Sequence, residues 1–268
     1  MVFDALRLSN LSDMIDYSDR HLPYAFTLAC QPIVDFPNKR VIGYDVVIQG
    51  KQGQSASDLI ASIDDPDKRF HFDLSTRFKV LNLAKVNGIN NFIFLDLVSS
   101  NTDRVNEAAE ITQNFCFGLG FSPSRVVFQY AEGRNDEDIN LWVDRLQVHR
   151  THGFRESLDG FGSGYASLTK LSRFQPHFAK LDPTFINNVE HDVLRQAIVR
   201  SLVETCTDMK IALVIRGVNS SEQASCLSSL GARFMQGSYF AEPELNHFPS
   251  VDSSLFNIDD SINWPSSH

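Results

Sequence analysis

Glu156-Ser157-Leu158-Asp159-Gly160-Phe161-Gly162-Ser163-Gly164-Tyr165-Ala166-Ser167-Leu168 is the stretch on which the reading of this chain turns. An apolar-polar run ends at Asp159, three glycines follow at 160, 162 and 164, and a helical pattern begins after them. Strand, glycine turn and helix start, in that order, place Asp159 at the carboxyl end of a strand. Chemistry collects at that end in α/β barrels. Glycine also supplies ordinary turns everywhere, so the motif gains meaning only from its neighbours.

Outward from this loop the chain alternates strand and helix. On the amino side, residues 25–33 and 40–48 read as two strands around a Pro37-Asn38 turn. Parallel neighbours need a crossover of a dozen or more residues, so strands this close form an antiparallel pair. Strands follow at 91–97 and 125–132, helices at 66–86, 104–119 and 136–151. In the first helix Phe70, Leu74, Phe78 and Leu81 recur every three or four residues. On the carboxyl side come a helix near 165–173, a strand at 177–182, a helix at 190–207, a strand at 211–216, a helix at 220–230 and a last strand from 233. Short links between alternating elements indicate a parallel sheet. About eight strands in 268 residues favour a closed barrel, which suits a single domain of this length.

Composition removes several function classes. A net charge of −9 argues against broad binding to a nucleic-acid backbone, which needs a basic surface. Cys30, Cys116, Cys206 and Cys226 are scattered, without the tight spacing of a metal site, and read as inert buried thiols. No basic-then-apolar leader opens the chain, and no apolar run nears the ~20 residues that span a bilayer. The expectation is a cytoplasmic protein without membrane attachment. Residues 1–24 read as a short helix and lead-in, residues 25–245 as the barrel, and residues 246–268 as a weakly ordered acidic tail.

Each strand end offers a polar side chain: Asp45, Asp96, Gln129, Asp159, Lys180, Arg216 and Gln236. A barrel gathers such positions in one mouth.

These residues carry a resemblance. The glycine loop is similar to the Asp-Asp-Phe-Gly-Thr-Gly-Tyr-Ser-Ser-Leu loop of EAL domains, the bacterial phosphodiesterases that open cyclic di-GMP. The likeness covers roughly residues 25–245. Gln31-Pro32, Lys180-Leu181-Asp182, Gln236-Gly237 and Pro243 match that family's motifs. Elsewhere the chain departs. Tyr44-Asp45-Val46-Val47-Ile48-Gln49 stands for Tyr-Glu-Ala-Leu-Leu-Arg, and Gln129-Tyr130-Ala131-Glu132 for Glu-Ile-Thr-Glu. Ile215-Arg216-Gly217-Val218-Asn219 stands for Ala-Glu-Gly-Val-Glu, Asp96 for the usual Asn, and Gly160 for the loop's second Asp. The resemblance implies a modified TIM-like (βα)8 barrel whose first strand is antiparallel. It also implies a homodimer through the 159–168 region, with Glu132 steadying that loop.

The resemblance implies a two-metal reaction, with Mg²⁺ or Mn²⁺ ions about 3.5–4 Å apart generating hydroxide. The matching first-metal positions are Asp45, Asp96, Gln129 and Asp159, a set that allows at most one weak Mg²⁺ or Mn²⁺ site. Gly160 offers the second metal no side-chain oxygen. Arg216 stands where a base is expected, and a guanidinium takes no proton at working pH. An ion pair of Arg216 with Asp159 or Asp45 is expected to fill the site, leaving Lys180 no hydroxide to orient. Nucleotide contacts would come from Gln31, Asp45, Val47, Gln49 and Gln236. Gln49 replaces the family's phosphate-gripping Arg, a loss of about 1.5–3 kcal/mol, and the reading leans against cyclic di-GMP binding. No resident cofactor and no catalytic residue are therefore expected. The leading expectation is a non-catalytic regulator acting on an unidentified protein, such as a transcription or motility regulator. The alternatives are a cyclic di-GMP receptor without hydrolysis and a residual phosphodiesterase.

Overall fold

The computed structural model describes residues 26–50, 53–97, 104–131, 139–163 and 171–256. The expected helix within 1–24, Glu132, and Gly164 to Lys170 lie outside the described residues.

Strands β1 (Phe26–Asp35) and β2 (Arg40–Gly50) form the antiparallel pair that the Pro37-Asn38 turn requires. From β2 onward the sheet runs parallel through β3 (Phe92–Asp96), β4 (Val126–Ala131), β5 (Arg155–Phe161), β6 (Phe178–Leu181), β7 (Ala212–Arg216) and β8 (Phe234–Gln236). Strand β8 pairs antiparallel with β1, so β1 closes the barrel between β8 and β2. This is the TIM-like barrel with a reversed first strand. A two-residue strand, β9 (Glu244–Leu245), adds to β1 at Ala29 and Cys30. It was not expected, because two residues show no alternation that a sequence pattern could reveal.

Helices α1 (Ala56–Ala61), α2 (Pro66–Val86), α3 (Val105–Leu119), α4 (Ile139–Thr151), α5 (Val193–Asp208) and α6 (Ser221–Ser229) connect the strands. Their starts follow from capping. Asp65 accepts from the amides of Asp67 and Lys68 ahead of Pro66, Asp192 from those of Leu194 and Arg195, and Ser220 from that of Gln223. Helix α1 lies in a mostly polar stretch between β2 and α2. It is one turn and a half long, with Leu59 buried.

Two cores result. The larger lies between helices and barrel, where Phe78 stacks on Phe115 with centroids 4.3 Å apart. Each buried Phe there contributes about 1.5–3 kcal/mol. The smaller fills the barrel: Ile33, Phe94, Val127, Phe178 and Val214 form one interior layer. Strand side chains alternate with period two, so residues two positions further along the four parallel strands of this layer face the same interior one layer nearer the mouth. Those residues include Asp96, Gln129, Lys180 and Arg216. The polar mouth is thus the next tier of the apolar stack.

The acidic tail expected from residue 246 is corrected over its first part. Phe248 is buried against Tyr44, and Phe256 packs on Phe36 and Phe240. Three serines in this segment masked two aromatic anchors. All four cysteines are buried and free. Burial pushes the Cys30 and Cys116 thiols up to about 12, with the Asp45 charge adding to the effect at Cys30. No helix among the described residues is long and apolar enough to cross a membrane.

Candidate functional site

Asp45 is the hub of the mouth. It sits on β2, is 4% exposed, and meets one ammonium and two amide donors. Lys180 Nζ lies 2.8 Å from its Oδ1, Gln129 Nε2 donates to Oδ1 at 2.8 Å, and Gln236 Nε2 donates to Oδ2 at 2.9 Å. Burial on its own would raise this carboxyl's pKa. The Lys180 charge and hydrogen bond, Arg216 and the Gln236 hydrogen bond outweigh it and hold the group below the usual range. Lys180 is fully buried, with Phe94 in the layer below and its Nζ 5.1 Å from that ring's centroid.

Two amides extend the network. Gln129 also donates to Asp96 Oδ1 at 3.0 Å, and Gln236 donates to Gln31 Oε1 at 2.9 Å. Gln31 in turn donates to the carbonyl of Ala241 at 3.0 Å. Both protons of each Gln129 and Gln236 amide are thereby used, and their buried oxygens lack a donor among the described residues.

Arg216 makes the second ion pair: its Nη1 donates to Asp159 Oδ1 at 2.6 Å. Of the two partners expected for Arg216, the direct contact goes to Asp159; the counter-charge of Asp45 is Lys180. Lys180, expected to have no hydroxide to orient, lies against Asp45. Sequence motifs name the residue but do not reveal that its ammonium compensates a buried carboxylate. Gly160 follows Asp159 with φ +73°, in the region that glycine adopts freely. Strand β5 is irregular here, its register with β6 shifting between Leu158 and Phe161.

Asp96 is the outlier. Burial and the nearby Asp45 charge push its carboxyl up to about 7, with Lys180 and Arg216 opposing. A folded-state value above the unfolded one, about 3.9, means that its contribution to stability is present below pH ~4 and lost as pH rises toward 7. Asp96→Asn should therefore raise the melting temperature at pH 8 and leave it nearly unchanged at pH 4. Equal shifts at the two pH values would show that Asp96 does not titrate in this range.

Beside the network lies a cleft of about 520 Å³, lined by Gln31, Val47, Gln49, Arg216, Gln236 and Leu245 among others. Asp45, Val47 and Gln49 alternate onto one face of β2 and become exposed toward the mouth. Val47 and Gln49 line the cleft without joining the network. The seven strand-end residues thus fall into one network and one ion pair, both at the mouth. Glu132 lies outside the described residues. The Gln31–Gln236 link and the part of Leu245 in the cleft escaped the sequence reading, since both depend on β1 closing the barrel.

The donor set does not fit a pair of hard cations. Such ions need several free carboxylate or carbonyl oxygens. Here Asp45 is held by an ammonium and two amides and Asp159 by a guanidinium, while Gln129 turns N–H groups toward both Asp45 and Asp96. Among the described residues no group of three or more His, Cys, Asp or Glu side chains is arranged to hold a metal ion.

Comparison with known proteins is consistent with the barrel and its mouth. The EAL domain family model matches residues 21–243. BluF of Escherichia coli, a blue light- and temperature-regulated antirepressor, is 26% identical over 224 residues, covering 83% of this chain and 55% of BluF. The cyclic di-GMP phosphodiesterase RocR of Pseudomonas aeruginosa is 29% identical over 174 residues, 65% of this chain and 43% of RocR. This chain spans about half the length of the curated relatives it matches. Among solved structures, a standalone EAL protein of Vibrio cholerae in its c-di-GMP-bound form superposes with a TM-score of 0.79 at 29% identity, over 88% of this chain and 99% of that one. The manganese and cyclic di-GMP complex of Klebsiella pneumoniae BlrP1 gives 0.76 at 28% identity, over 87% and 59%. A barrel closed by a reversed first strand, a mouth built from successive strand ends, and a match over most of the length lead to one conclusion: the chain belongs to the EAL domain family.

Proposed function

We propose that this EAL domain is a non-catalytic regulator that works by contact with another protein in the cytoplasm and does not hydrolyse cyclic di-GMP. One observation carries the reading. The carboxylates that would bind cations are already neutralised from within, Asp45 by Lys180 and Asp159 by Arg216. Hydroxide generation would require a metal or a base at this position. A permanently charged guanidinium serves as neither. BluF, an antirepressor, offers a precedent for an EAL relative in transcriptional control. The partner is accordingly a regulator of transcription or motility. A homodimer through the 159–168 region belongs to the same proposal.

A second reading is favoured by the cleft. Its size, the inward-lying Arg216 and the unpaired Gln236 oxygen suit a receptor that binds cyclic di-GMP without cutting it. Calorimetry with cyclic di-GMP, with and without Mg²⁺, separates the two. No heat up to high micromolar nucleotide supports the protein-contact reading; metal-independent binding moves the conclusion to the receptor. Manganese-dependent turnover that disappears in Asp159→Ala would instead restore a phosphodiesterase and remove both.

A further inference from the structure

The end of the barrel opposite the mouth carries its own pattern. Five of the seven parallel strands begin with a cation at or within two residues of their first position: Arg40, Arg125, Arg155, Lys210 and Arg233. A chain of net charge −9 thus collects positive charge on one face. Helix dipoles favour cations in the last turn of a helix. They favour Lys210, just past the end of α5, and Arg125, at the end of a short 3₁₀ turn, but not Arg40, Arg155 and Arg233, which stand at strand entries.

The acids on this face do not cancel the pattern. Asp35 and Glu156 are fully buried and act as internal clamps. Asp35 accepts from Arg233 at 2.8 and 2.9 Å, and Glu156 accepts from Arg150 at 3.1 and 3.2 Å and pairs with His177 at 2.6 Å. Asp208, at the end of α5, is the exposed acid near Lys210. Arg155 and Lys210 form no ion pair with a described residue.

The face is also partly apolar. Ile42, Phe92 and Phe234 close the bottom of the barrel and stay partly exposed. Arg155 lies over the Phe92 ring at 5.1 Å and Arg233 over the Phe234 ring at 5.0 Å. Next to them a hollow of about 490 Å³ is lined by Arg150, Arg155, His177, Lys210 and Met209 among others. An apolar centre with a charged rim is the anatomy of a protein interface, and arginine stacked on an aromatic ring is enriched there.

We infer that this face docks an acidic polypeptide segment of a partner protein, one bearing an apolar or aromatic side chain, with the hollow between β5, β6 and β7 receiving the anchor. Nucleic acid fits less well. Its phosphates would meet the apolar centre, and the overall negative charge of the chain repels a long polyanion. The inference rests on the partner-binding reading above. Cyclic di-GMP calorimetry reports only on the mouth, so failure of one claim is distinguishable from failure of the other.

The test is fluorescence anisotropy with a short fluorescein-labelled peptide rich in Asp and Glu around one Trp, set against a short labelled DNA duplex. The peptide should bind with an affinity that falls with salt. Arg155→Glu combined with Lys210→Glu should weaken it about tenfold or more, as expected for reversing charges that face an acidic ligand. Arg200→Glu on α5, a charge change equal to that of Lys210→Glu alone, should leave it unchanged. Lys210→Glu alone alters an exposed side chain and keeps the test available should the double variant not fold. Absence of peptide binding, equal loss in Arg200→Glu, or duplex bound as tightly as peptide would each overturn the inference.

Discussion

Lys180→Met should lower the free energy of unfolding at pH 7 by about 3–5 kcal/mol, since removing one partner of a buried ion pair strands the other charge. Asp45 is 4% exposed, and its remaining donors are the neutral amides of Gln129 and Gln236. Two neutral hydrogen bonds do not replace an ammonium at 2.8 Å. Adding Asp45→Asn to Lys180→Met removes the stranded charge and should recover part of the loss, giving clear non-additivity in a double-mutant cycle. The pH dependence has a definite sign. Asp45 is held below its unfolded value, so its stabilisation is present above about pH 4 and is lost as pH falls through the lower folded-state value. Denaturant melts of both variants at pH 7 and of the parent at low pH check these points. A Lys180→Met loss under about 1 kcal/mol would mean that water screens the pair, as at a surface.

The second large effect concerns metal affinity. Arg216→Glu, Gln129→Glu and Gly160→Asp together replace one cation and two uncharged residues by three carboxylates around Asp159. Gly160 has φ +73°, which Asp tolerates better than most residues at a cost of about 1 kcal/mol. An added Cβ there would first meet Ser163 Oγ at 3.4 Å, an ordinary contact. The triple variant should be less stable than the parent without metal, because like charges crowd the mouth. Mn²⁺ should restore it, since a ligand bound only by the folded state stabilises that state. A gain of at least about tenfold in Mn²⁺ affinity corresponds to ~1.4 kcal/mol. Arg216→Ala alone should give a smaller gain. A triple variant whose melting temperature ignores Mn²⁺ would show that geometry, and not charge, keeps metal out.

Much of this is legible in the sequence because strand ends in a barrel are ordered by the chain. Asp159 before a glycine turn, Lys180 within the strand read at 177–182 and Gln236 in the last barrel strand were legible as mouth residues from their positions. Their partners were less so. The Arg216–Asp159 contact follows from placing a guanidinium among carboxylates, but the assignment of Lys180 to Asp45 depends on which interior tier each residue occupies. That in turn depends on register, where a shift of one residue moves a side chain to the other face. Phe248 and Phe256 were hidden in a serine-rich, acidic segment, because composition averages over single anchoring rings. The basic floor escaped for a related reason. Arg40, Arg125, Arg155, Lys210 and Arg233 are dispersed along the sequence and meet only through the closure of the sheet.

The most direct measurement is an electron paramagnetic resonance titration of Mn²⁺ into the unmodified protein, with and without cyclic di-GMP. If Lys180 and Arg216 occupy the electrostatic place of the metals, the six-line signal of free Mn²⁺ should persist at full amplitude when ion and protein are equimolar. Loss of that signal to two bound ions per chain, with the nucleotide strengthening their binding, would contradict it.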